Sequence, residues 1–423
     1  MTTTAFLGMS HLGINYAAAW SSYGQSTIGF DPDPALINRL RARDLPIQEP
    51  GLLELIQQCG DCLEYSADFS QLRGCELAII ARDVPTDEDN NSDLEPVRAL
   101  IELAARHLSD TATLVVMSQV PPGFMRELST QLGGRVAGVY YWVETLVFGD
   151  AVRRALHPER IIIGCADPTS DLPGVLADGL GHFGCPVLPM RYESAELTKT
   201  AINLYLVGSV TYANTLSDLC ESVGANWSEM VPALRLDARI GPAAYLRPGL
   251  GIAGGNLERD LVTLRNLCGV GSVDATYIDA LIDYNAHRLE WVERQLDRRL
   301  LNSGVVPRLA VWGLTYKKNT RSTKNSPSLR VIGSLEQRAI VRAWDPAIEP
   351  GELEIAAEVV GDQYLALDAA DGLLVMADWD QFAEADLSRL RQSMRRPLVI
   401  DCAGVLERRR PEMEGIDYVS MGQ

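Results

Sequence analysis

The fold is decided near the start of the chain, where Ala5-Phe-Leu-Gly-Met-Ser-His-Leu-Gly13 precedes an Ala-rich stretch and then Ser26-Thr-Ile-Gly-Phe-Asp31. An apolar strand, a glycine turn and a helix, with an acid closing the next strand, are typical of a dinucleotide-binding βαβ unit. Glycine allows the tight turn, the helix N-terminus attracts a pyrophosphate, and the acid accepts hydrogen bonds from ribose hydroxyls. The stretch therefore predicts a Rossmann-like domain that binds a dinucleotide.

The same unit indicates which dinucleotide is bound. Asp31 lies 18 residues after Gly13, and its carboxylate would repel a 2′-phosphate, so we expect NAD rather than NADP. Ser10 stands where a second glycine is usual, and its small side chain still allows a cofactor to approach. The alternative is a turn that is merely structural in an α/β domain. The predicted cofactor contacts in this unit are Gly8, Ser10, His11, Leu12, Gly13 and Asp31.

Outward from this unit, short β-branched runs alternate with helical patterns on both sides of a long helical region. Strands separated by helices form mainly parallel sheets. We predict an α/β protein with two Rossmann-like parallel-sheet domains joined by a helical middle domain, with boundaries at 1–190, 191–303 and 304–423. Helices are expected at 192–223 and 274–301. The later predicted strands are 77–81, 113–117, 135–140, 160–164, 308–312, 339–344, 372–376 and 397–401.

Composition excludes several classes of function. The formal net charge of −18 argues against broad binding to nucleic acid or to anionic membranes, although a local basic pocket for a small anion remains compatible with it. No apolar run approaches the roughly 20 residues of a membrane span. The chain enters a strand at once, without the basic and apolar segments of a signal peptide, so we expect a cytoplasmic protein.

Cysteine and histidine give little support to a metal site. Eight Cys in 423 residues do not make a disulfide scaffold. Cys59 and Cys62 form one CxxC pair without a second pair at zinc spacing, and we interpret them as incidental thiols at a helix end. The five His are scattered, and we predict no metal.

Further motifs are spread along nearly the whole chain. They lie at 49–52, 120–123, 157–164, 195–199 with Asn203, 239–241, 313–317, 326–327, 344–346 and 378–380. In combination these segments resemble the UDP-glucose/GDP-mannose dehydrogenase family. The resemblance implies an N-terminal NAD domain, a helical middle that forms a homodimer, and a C-terminal domain that covers a nucleotide-sugar. Members of that family oxidise a primary alcohol to an acid and transfer two hydrides to two NAD in sequence.

The chain departs from the family pattern where the second oxidation would occur. Asn256 occupies the position of the family's nucleophilic Cys, in the run Gly251-Ile-Ala-Gly-Gly-Asn-Leu-Glu-Arg-Asp260. A thiolate can form a thiohemiacetal, surrender a second hydride and leave a hydrolysable thioester, whereas an amide cannot. Gln119, after Ser118, stands where the family has a Thr that helps to hold the hydrolytic water. Arg82 lies in the segment 81–85, which corresponds to a cofactor-binding segment of the family but differs from it in sequence. We therefore add Arg82, Ser118 and Gln119 to the predicted cofactor contacts.

The residues for a first oxidation are retained. Lys199 and Asn203 are four residues apart and hence on one helix face. A Lys ammonium beside the reacting oxygen stabilises alkoxide character, and the free amine would accept the hydroxyl proton. The resemblance makes Asp260 a residue that positions Lys199 or a water, and Glu144 a second proton-transfer candidate. The alternative for Lys199 is a plain surface charge.

Two basic or glycine-rich loops are predicted to contact the substrate. The segment 239–255 offers backbone N–H groups for a phosphate, and the family resemblance places its Arg in a neighbouring subunit's site. The basic run 317–324 lacks the acids of the family motif and is therefore expected to attract an anion, with a solvated charge run as the alternative. The predicted substrate contacts are Leu146, Arg239, Tyr245, Gly251, Gly254, Lys317, Arg321 and Lys324.

Three hypotheses follow. The leading one is an NAD-dependent dehydrogenase that makes one two-electron oxidation of a hydroxyl on an anionic substrate bearing phosphate, phosphonate, carboxylate or a nucleotide. Its product is an aldehyde or ketone, and a β-hydroxy acid could then lose CO2; the Lys-x-x-x-Asn pair also resembles that of β-hydroxyacid dehydrogenases. The second is a UDP-sugar 6-dehydrogenase that uses a non-thiol route. The third is a non-catalytic nucleotide-binding protein.

Overall fold

The computed structural model describes residues 3–87, 89–269, 271–301 and 304–423. The chain divides into two compact units, Met1–Ile202 and Asn203–Gln423. Each unit contains one sheet flanked by helices, and the second unit also contains most of the helical middle of the chain.

The first unit is built on an eight-stranded sheet. Its strands are β1 (Thr3–Leu7), β2 (Ser26–Phe30), β3 (Leu63–Ser66), β4 (Leu77–Ile80), β5 (Thr113–Val116), β6 (Gly138–Trp142), β7 (Ile161–Cys165) and β8 (Val187–Arg191). They lie in the order β3-β2-β1-β4-β5-β6-β7-β8, and every neighbouring pair is parallel except β6 with β7. The first six strands thus have the order of a dinucleotide-binding domain.

Helices cover this sheet and bury its central strands. They are α1 (His11–Ser21), α2 (Pro34–Arg41), α3 (Leu52–Cys59), α4 (Glu95–His107), α5 (Phe124–Gln131), α6 (Ala151–Leu156), α7 (Gly174–Gly181) and the start of α8 (Tyr192–Val223). Helix α1 is buried along its whole length, because it packs against β1, β2, α3 and α6. Its three consecutive alanines allow that close approach from several sides.

The strand order places the candidate cofactor turn at the edge where ligands bind in such sheets. The connection from β1 goes to β2 on one side, while β4 lies on the other side, so the order reverses between β1 and β4. Open parallel sheets bind ligands at the carboxyl ends of the strands at this reversal. Gly8 follows β1 and Ala81 follows β4, so both lie at that position.

The second unit combines helices with a second sheet. The helices that precede the sheet are α9 (Trp227–Leu236), α10 (Asn256–Cys268), α11 (Val273–His287) and α12 (Glu290–Arg299). The strands are β9 (Arg308–Trp312), β10 (Ile340–Trp344), β11 (Glu358–Val359), β12 (Gly372–Val375), β13 (Leu398–Asp401) and β14 (Asp417–Ser420). The helices among the strands are α13 (Pro327–Ser334), α14 (Gln363–Ala366), α15 (Asp380–Ala383) and α16 (Leu387–Ser393).

The second sheet repeats the topology of the first. Its order is β11-β10-β9-β12-β13-β14, and all neighbouring pairs are parallel. Asp345 after β10 accepts a hydrogen bond from the Leu314 N–H at 2.8 Å, as Asp31 after β2 accepts one from the Met9 N–H at 2.8 Å. The predicted fold class, two Rossmann-like sheets with a helical middle, is confirmed.

Several element boundaries differ from the sequence-based expectation. The helix expected at 274–301 is two helices, α11 and α12, which meet at Arg288. The strand expected at 135–140 lies at Gly138–Trp142. The sequence pattern also missed β3, β8, β11 and β14. These strands are short or lie at sheet edges, where apolar alternation is weak, and β8 contains a proline, which edge strands tolerate.

None of the helices in the described ranges has both the length and the apolar character that crossing a membrane requires. In the same ranges, no group of three or more His, Cys, Asp or Glu side chains is arranged to hold a metal ion. Cys59 and Cys62 are free thiols at the end of α3 and in the 3-10 turn that follows it.

Candidate active site

The glycine turn after β1 is shaped to receive a pyrophosphate. Gly8 has a φ of +96°, a backbone conformation that favours glycine. A Cβ on Gly13 would lie only 1.9 Å from the Gly8 carbonyl oxygen, so position 13 also requires glycine. Helix α1 begins at His11, and the first N–H groups of a helix have no intrahelical acceptor. The turn and these amides fit the pyrophosphate of a dinucleotide.

Asp31 is held beside this turn in a fixed orientation. Its side chain is buried, and its Oδ2 and Oδ1 accept hydrogen bonds from the N–H groups of Met9 at 2.8 Å and Asp33 at 3.0 Å. A carboxylate oxygen can accept a second bond, so this acid still fits a ribose hydroxyl. The residues present therefore fit NAD.

Two hydrogen bonds to serine hydroxyls join the ends of β1, β4 and β5, and they involve Ser10, Arg82 and Ser118. The Ser10 Oγ accepts a hydrogen bond from the Asp83 N–H at 2.8 Å, and the buried Ser118 Oγ accepts one from the Arg82 N–H at 3.1 Å. A Cβ on Gly8 would lie 2.8 Å from the Arg82 Cβ. Three of the predicted cofactor contacts thus meet at the cofactor edge, by which we mean the carboxyl ends of β1, β4 and β5.

The His11 side chain has a partner that the sequence did not reveal. Its Nε2 lies 2.7 Å from Oε1 of the buried Glu49, whose carboxylate also accepts the N–H of Gly149 at 2.8 Å. The His11 ring packs against Phe148, with 4.1 Å between ring centroids. Glu49 thereby ties the start of α1 to the loop before α6, and it is a supporting residue of the turn.

Gly13→Ala is expected to abolish NAD binding, because its Cβ would meet backbone oxygens of Gly8 and Ala81 that cannot move without breaking the turn. Titration of NADH fluorescence checks this. The control is Gly174→Ala on α7, where an added Cβ meets nothing within 4 Å. Equal NADH affinity in the two variants would contradict the assigned turn.

Lys199 and Glu144 form an ion pair in the first unit. The Lys199 Nζ lies 2.7 Å from Glu144 Oε1 and donates to the Glu144 carbonyl oxygen at 3.0 Å. Glu144 Oε2 accepts the Leu146 N–H at 2.9 Å, which fixes the carboxylate. The two side chains are only 11% and 16% exposed, so the interpretation of Lys199 as a plain surface charge is wrong. This pair can take up or deliver a proton at one place.

Tyr16 of α1 is a buried phenol near this pair. Burial and the charge of Glu144 raise the pKa of Tyr16 well above its ordinary value. The phenol therefore stays protonated at neutral pH and does not act as a base. Tyr16 is therefore not a candidate for the base, whereas Glu144 and Lys199 are.

In the second unit, Asn203 is oriented by Asp260. The Asn203 Nδ2 donates a hydrogen bond to Asp260 Oδ2, and Arg259 Nε lies 3.4 Å from Asp260 Oδ1. The Asp260 side chain is 1% exposed, and the guanidinium compensates its buried charge. The amide orientation leaves the Asn203 Oδ1 to accept a hydrogen bond, as a substrate hydroxyl would require.

Asn256 is the first residue of α10 and is exposed. The preceding Gly255 has a φ of +90°, and Gly254 N–H donates to the Lys324 carbonyl oxygen at 3.2 Å. A Cβ on Gly254 would lie 2.8 Å from the Tyr316 ring, so the loop runs closely over that ring. The predicted substrate contacts Gly254 and Lys324 are thus brought together within the second unit.

The start of the same loop is held by side chains that sequence reasoning missed. Asn285 Oδ1 accepts the Ile252 N–H at 2.5 Å, and a Cβ on Gly251 would lie 2.0 Å from that oxygen. Asn214 Oδ1 accepts the Gly249 N–H at 2.8 Å, and the buried Arg288 donates to the Gly249 carbonyl oxygen at 2.9 Å. The glycine loop is therefore preformed.

The remaining predicted substrate contacts are placed differently. Arg239 has an 88% exposed side chain paired with Asp237, and Tyr245 is 55% exposed. Arg321 pairs with Glu352 at 2.7 Å, which offsets part of the positive charge expected of the basic run. Lys317 Nζ lies 5.5 Å from the centroid of the Tyr316 ring.

Cys268 is the cysteine nearest in sequence to Asn256, but the two residues lie at opposite ends of one helix. Cys268 ends α10, whose first residue is Asn256, so about 18 Å of helix separates the two positions. Cys402 is buried, and burial raises the pKa of its thiol, which makes it a poor nucleophile.

Comparison with known proteins matches the chain to one family from end to end. Models of the UDP-glucose/GDP-mannose dehydrogenase family match its NAD binding domain at residues 2–176, its central domain at 193–287 and its UDP binding domain at 310–408. The chain is 28% identical to the UDP-glucose 6-dehydrogenase TuaD of Bacillus subtilis, over 100% of this chain and 94% of that protein.

A further relative and a solved structure point to the same family. The chain is 28% identical to a UDP-glucose 6-dehydrogenase of Pseudomonas aeruginosa, over 99% of this chain and 96% of that protein. The solved structure of a UDP-glucose dehydrogenase from Pyrobaculum islandicum is similar with a TM-score of 0.87, 26% identity, and coverage of 100% of this chain and 97% of that one. The chain therefore belongs to the UDP-glucose/GDP-mannose dehydrogenase family, and it is an NAD-dependent oxidoreductase that acts on CH–OH donors.

Proposed function

We propose that this chain oxidises the primary hydroxyl of a nucleotide-sugar, with a UDP-hexose as the first candidate. The observation that carries the proposal is the presence of an NAD binding domain and a UDP binding domain in one chain that retains Lys199 and Asn203. The matched family models name nucleotide-sugars, which favours this substrate class over the β-hydroxy acid suggested by the Lys-x-x-x-Asn pair alone. The proposal therefore takes its substrate class from the UDP-sugar 6-dehydrogenase hypothesis.

The first oxidation uses groups that the chain supplies. The Lys199–Glu144 pair receives the hydroxyl proton and stabilises the alkoxide as the C–H hydride departs. Asn203, held by Asp260, offers its Oδ1 as an acceptor for a substrate hydroxyl. NAD, when bound, accepts the hydride. The proton and the hydride together account for the two electrons and two protons lost by the alcohol, and the product is an aldehyde.

The second oxidation separates two forms of the proposal. In the non-thiol route, water adds to the aldehyde and the resulting hydrate gives up a second hydride, so an acid is formed. In the single-oxidation form, the aldehyde is released. Asn256 at the family's Cys position supports the single oxidation, because an amide cannot capture the aldehyde covalently.

Incubation of the purified chain with NAD and UDP-glucose, UDP-N-acetylmannosamine or GDP-mannose tests the proposal. We expect NADH formation with at least one of these sugars, and mass spectrometry of the product counts the oxidations. Absence of NADH formation with all three would reject the proposed substrate class. NADH binding without turnover of any alcohol would instead favour a non-catalytic nucleotide-binding protein.

We also propose that the chain is a homodimer assembled through α8. Tyr205, Tyr212 and Leu219 are spaced seven residues apart, which places them on one helix face, and they are 71%, 44% and 53% exposed. An apolar stripe of this kind on a long helix is typical of a face that packs against another helix. A second copy of α8 would cover it.

Tyr205→Glu combined with Leu219→Glu is expected to halve the mass measured by light scattering after size-exclusion chromatography, because two charges would be buried in the proposed interface. Leu365→Glu is the control, since Leu365 is 57% exposed on α14. An unchanged mass in the double variant would reject α8 as the interface.

A further inference from the structure

A buried carboxylate next to the catalytic lysine has no role in the chemistry described so far. Glu196 lies on α8, three residues before Lys199, and is 0% exposed. Its Oε2 accepts the Gly123 N–H at 2.7 Å, and its Oε1 accepts the Met125 N–H at 2.7 Å. Both carboxylate oxygens are thus used to hold one backbone segment.

That segment is the start of α5, and it depends on Glu196 for its cap. The helix begins at Phe124 after Gly123, which has a φ of +98° and no side chain with which to cap the helix. Helix N-terminal amides need acceptors, and a negative charge there is favourable. Glu196 meets both needs from a different helix, so it joins α8 to the start of α5.

The same segment leads directly to the cofactor edge. Gln119 and Ser118 precede Val120-Pro-Pro-Gly123, and the two prolines restrict the backbone between them and the capped end. Ser118 Oγ accepts the Arg82 N–H, and Arg82 lies against Gly8. A continuous path of fixed groups therefore runs from Glu196 to the glycine turn.

We propose that Glu196 is a positioning residue for hydride transfer, which locks the turn carrying Gln119 to the helix that carries Lys199. Its two hydrogen bonds keep the cofactor edge and the Lys199–Glu144 pair at a fixed distance and orientation within the first unit. Hydride transfer depends steeply on such alignment, and a displacement of about 1 Å can cost roughly a hundredfold in rate. The role in turnover rests on the proposed function.

The ionisation of Glu196 provides a specific signature. Burial raises the pKa of Glu196 to about 6, with Glu193 on the same helix also raising it, while the two amides and Arg126 of α5 oppose the shift. The ionised carboxylate accepts both amides, whereas protonation turns one oxygen into a donor. The positioning effect should therefore be full above about pH 7 and should weaken as the pH falls through about 6.

Glu196→Gln tests the proposal, with Glu193→Gln as the matched control. Glu193 pairs with the Arg126 side chain at 2.9 Å but is 45% exposed, so Glu193→Gln removes the same charge from the same helix without removing the acceptor of the Gly123 and Met125 amides. At pH 7.5 we expect kcat to fall about tenfold or more in Glu196→Gln, with the KM for the sugar little changed, and to stay within about twofold in the control.

The pH dependence distinguishes positioning from general destabilisation. The ratio of wild-type to Glu196→Gln kcat should decline toward one between pH 7.5 and 5, because the wild-type carboxylate becomes protonated. Taking the ratio cancels titrations that both proteins share. A ratio that does not change with pH, or a Glu196→Gln kcat equal to that of Glu193→Gln, would overturn the proposal.

A second variant and a binding measurement keep the test independent of folding and of substrate identity. Gly123→Ala disturbs the backbone of the same turn directly. The positive φ of Gly123 is strained for alanine, although an added Cβ meets nothing within 4 Å. It should reproduce the loss of Glu196→Gln, and the two effects should not add. If the wild type turns over no nucleotide-sugar, the proposed function fails. NADH affinity then decides the role of Glu196: we expect it to weaken at least about threefold in Glu196→Gln alone, and equal affinities would reject that role.

Discussion

Lys199→Met is expected to lower kcat about a thousandfold while leaving NADH affinity within about threefold of the wild type. The ammonium lies 2.7 Å from the Glu144 carboxylate and is largely buried, so nothing from solvent readily replaces it. Methionine keeps most of the side-chain volume. The variant therefore removes the charge and the proton path but preserves the packing of α8.

The measurement is the initial rate of NADH formation with the best nucleotide-sugar of the panel. Removing one member of a buried ion pair leaves the other uncompensated, at a cost of about 3–5 kcal/mol in typical cases. Loss of stability must therefore be separated from loss of chemistry. Combining Lys199→Met with Glu144→Gln removes the stranded charge, and the double variant should fold stably yet remain inactive.

Arg342→Met is the control. Arg342 of β10 also pairs with a carboxylate, Glu358 at 2.8 Å, but its side chain is 33% exposed and outside the predicted substrate contacts, and such surface pairs contribute little to stability. It should keep a kcat within about twofold of the wild type. A Lys199→Met enzyme as active as this control would show that Lys199 has no part in the reaction.

The parts of this molecule that could be predicted from sequence are those in which local pattern and local chemistry coincide. Strand β2, helix α8 and strand β9 begin and end where the sequence pattern places them. The turn from Gly8 to Gly13 is also predictable, because the need for glycine follows from the backbone of a short segment. Asp31 is predictable in the same way, since it closes the strand after that turn.

The parts that could not be predicted depend on partners far away in the chain. The expected long helix is interrupted at Arg288 without a nearby proline or glycine, and the Arg288 guanidinium donates to the Gly249 carbonyl oxygen and to Asp218, which are far away in the chain. From the sequence alone, Glu196 would be interpreted as an exposed helical acid, because its partner Gly123 is distant in the chain. The sequence likewise does not indicate that Asn285 holds the glycine loop. Burial of a polar side chain becomes interpretable only with its acceptor or donor in view.

Asn256→Cys is expected to change the product from an aldehyde to an acid and to raise the NADH formed per sugar from one to two. Position 256 is the first residue of α10 and is exposed, and a helix N-terminus lowers the pKa of a thiol placed there. The thiolate would add to the aldehyde carbonyl to form a thiohemiacetal. Loss of a second hydride to a second NAD would give a thioester, and water would release the acid and restore the thiol.

Asn256→Ser is the control for this change, because it offers a small polar side chain without sulfur and should still release the aldehyde. Cys268→Ser should have no effect, since that thiol lies about 18 Å away along α10. If the wild type already gives two NADH and an acid, and Asn256→Cys changes neither, the second hydride comes from a hydrate. The enzyme then needs no thiol at position 256. If Asn256→Cys alone gives the acid, the side chain at position 256 decides how far the oxidation proceeds.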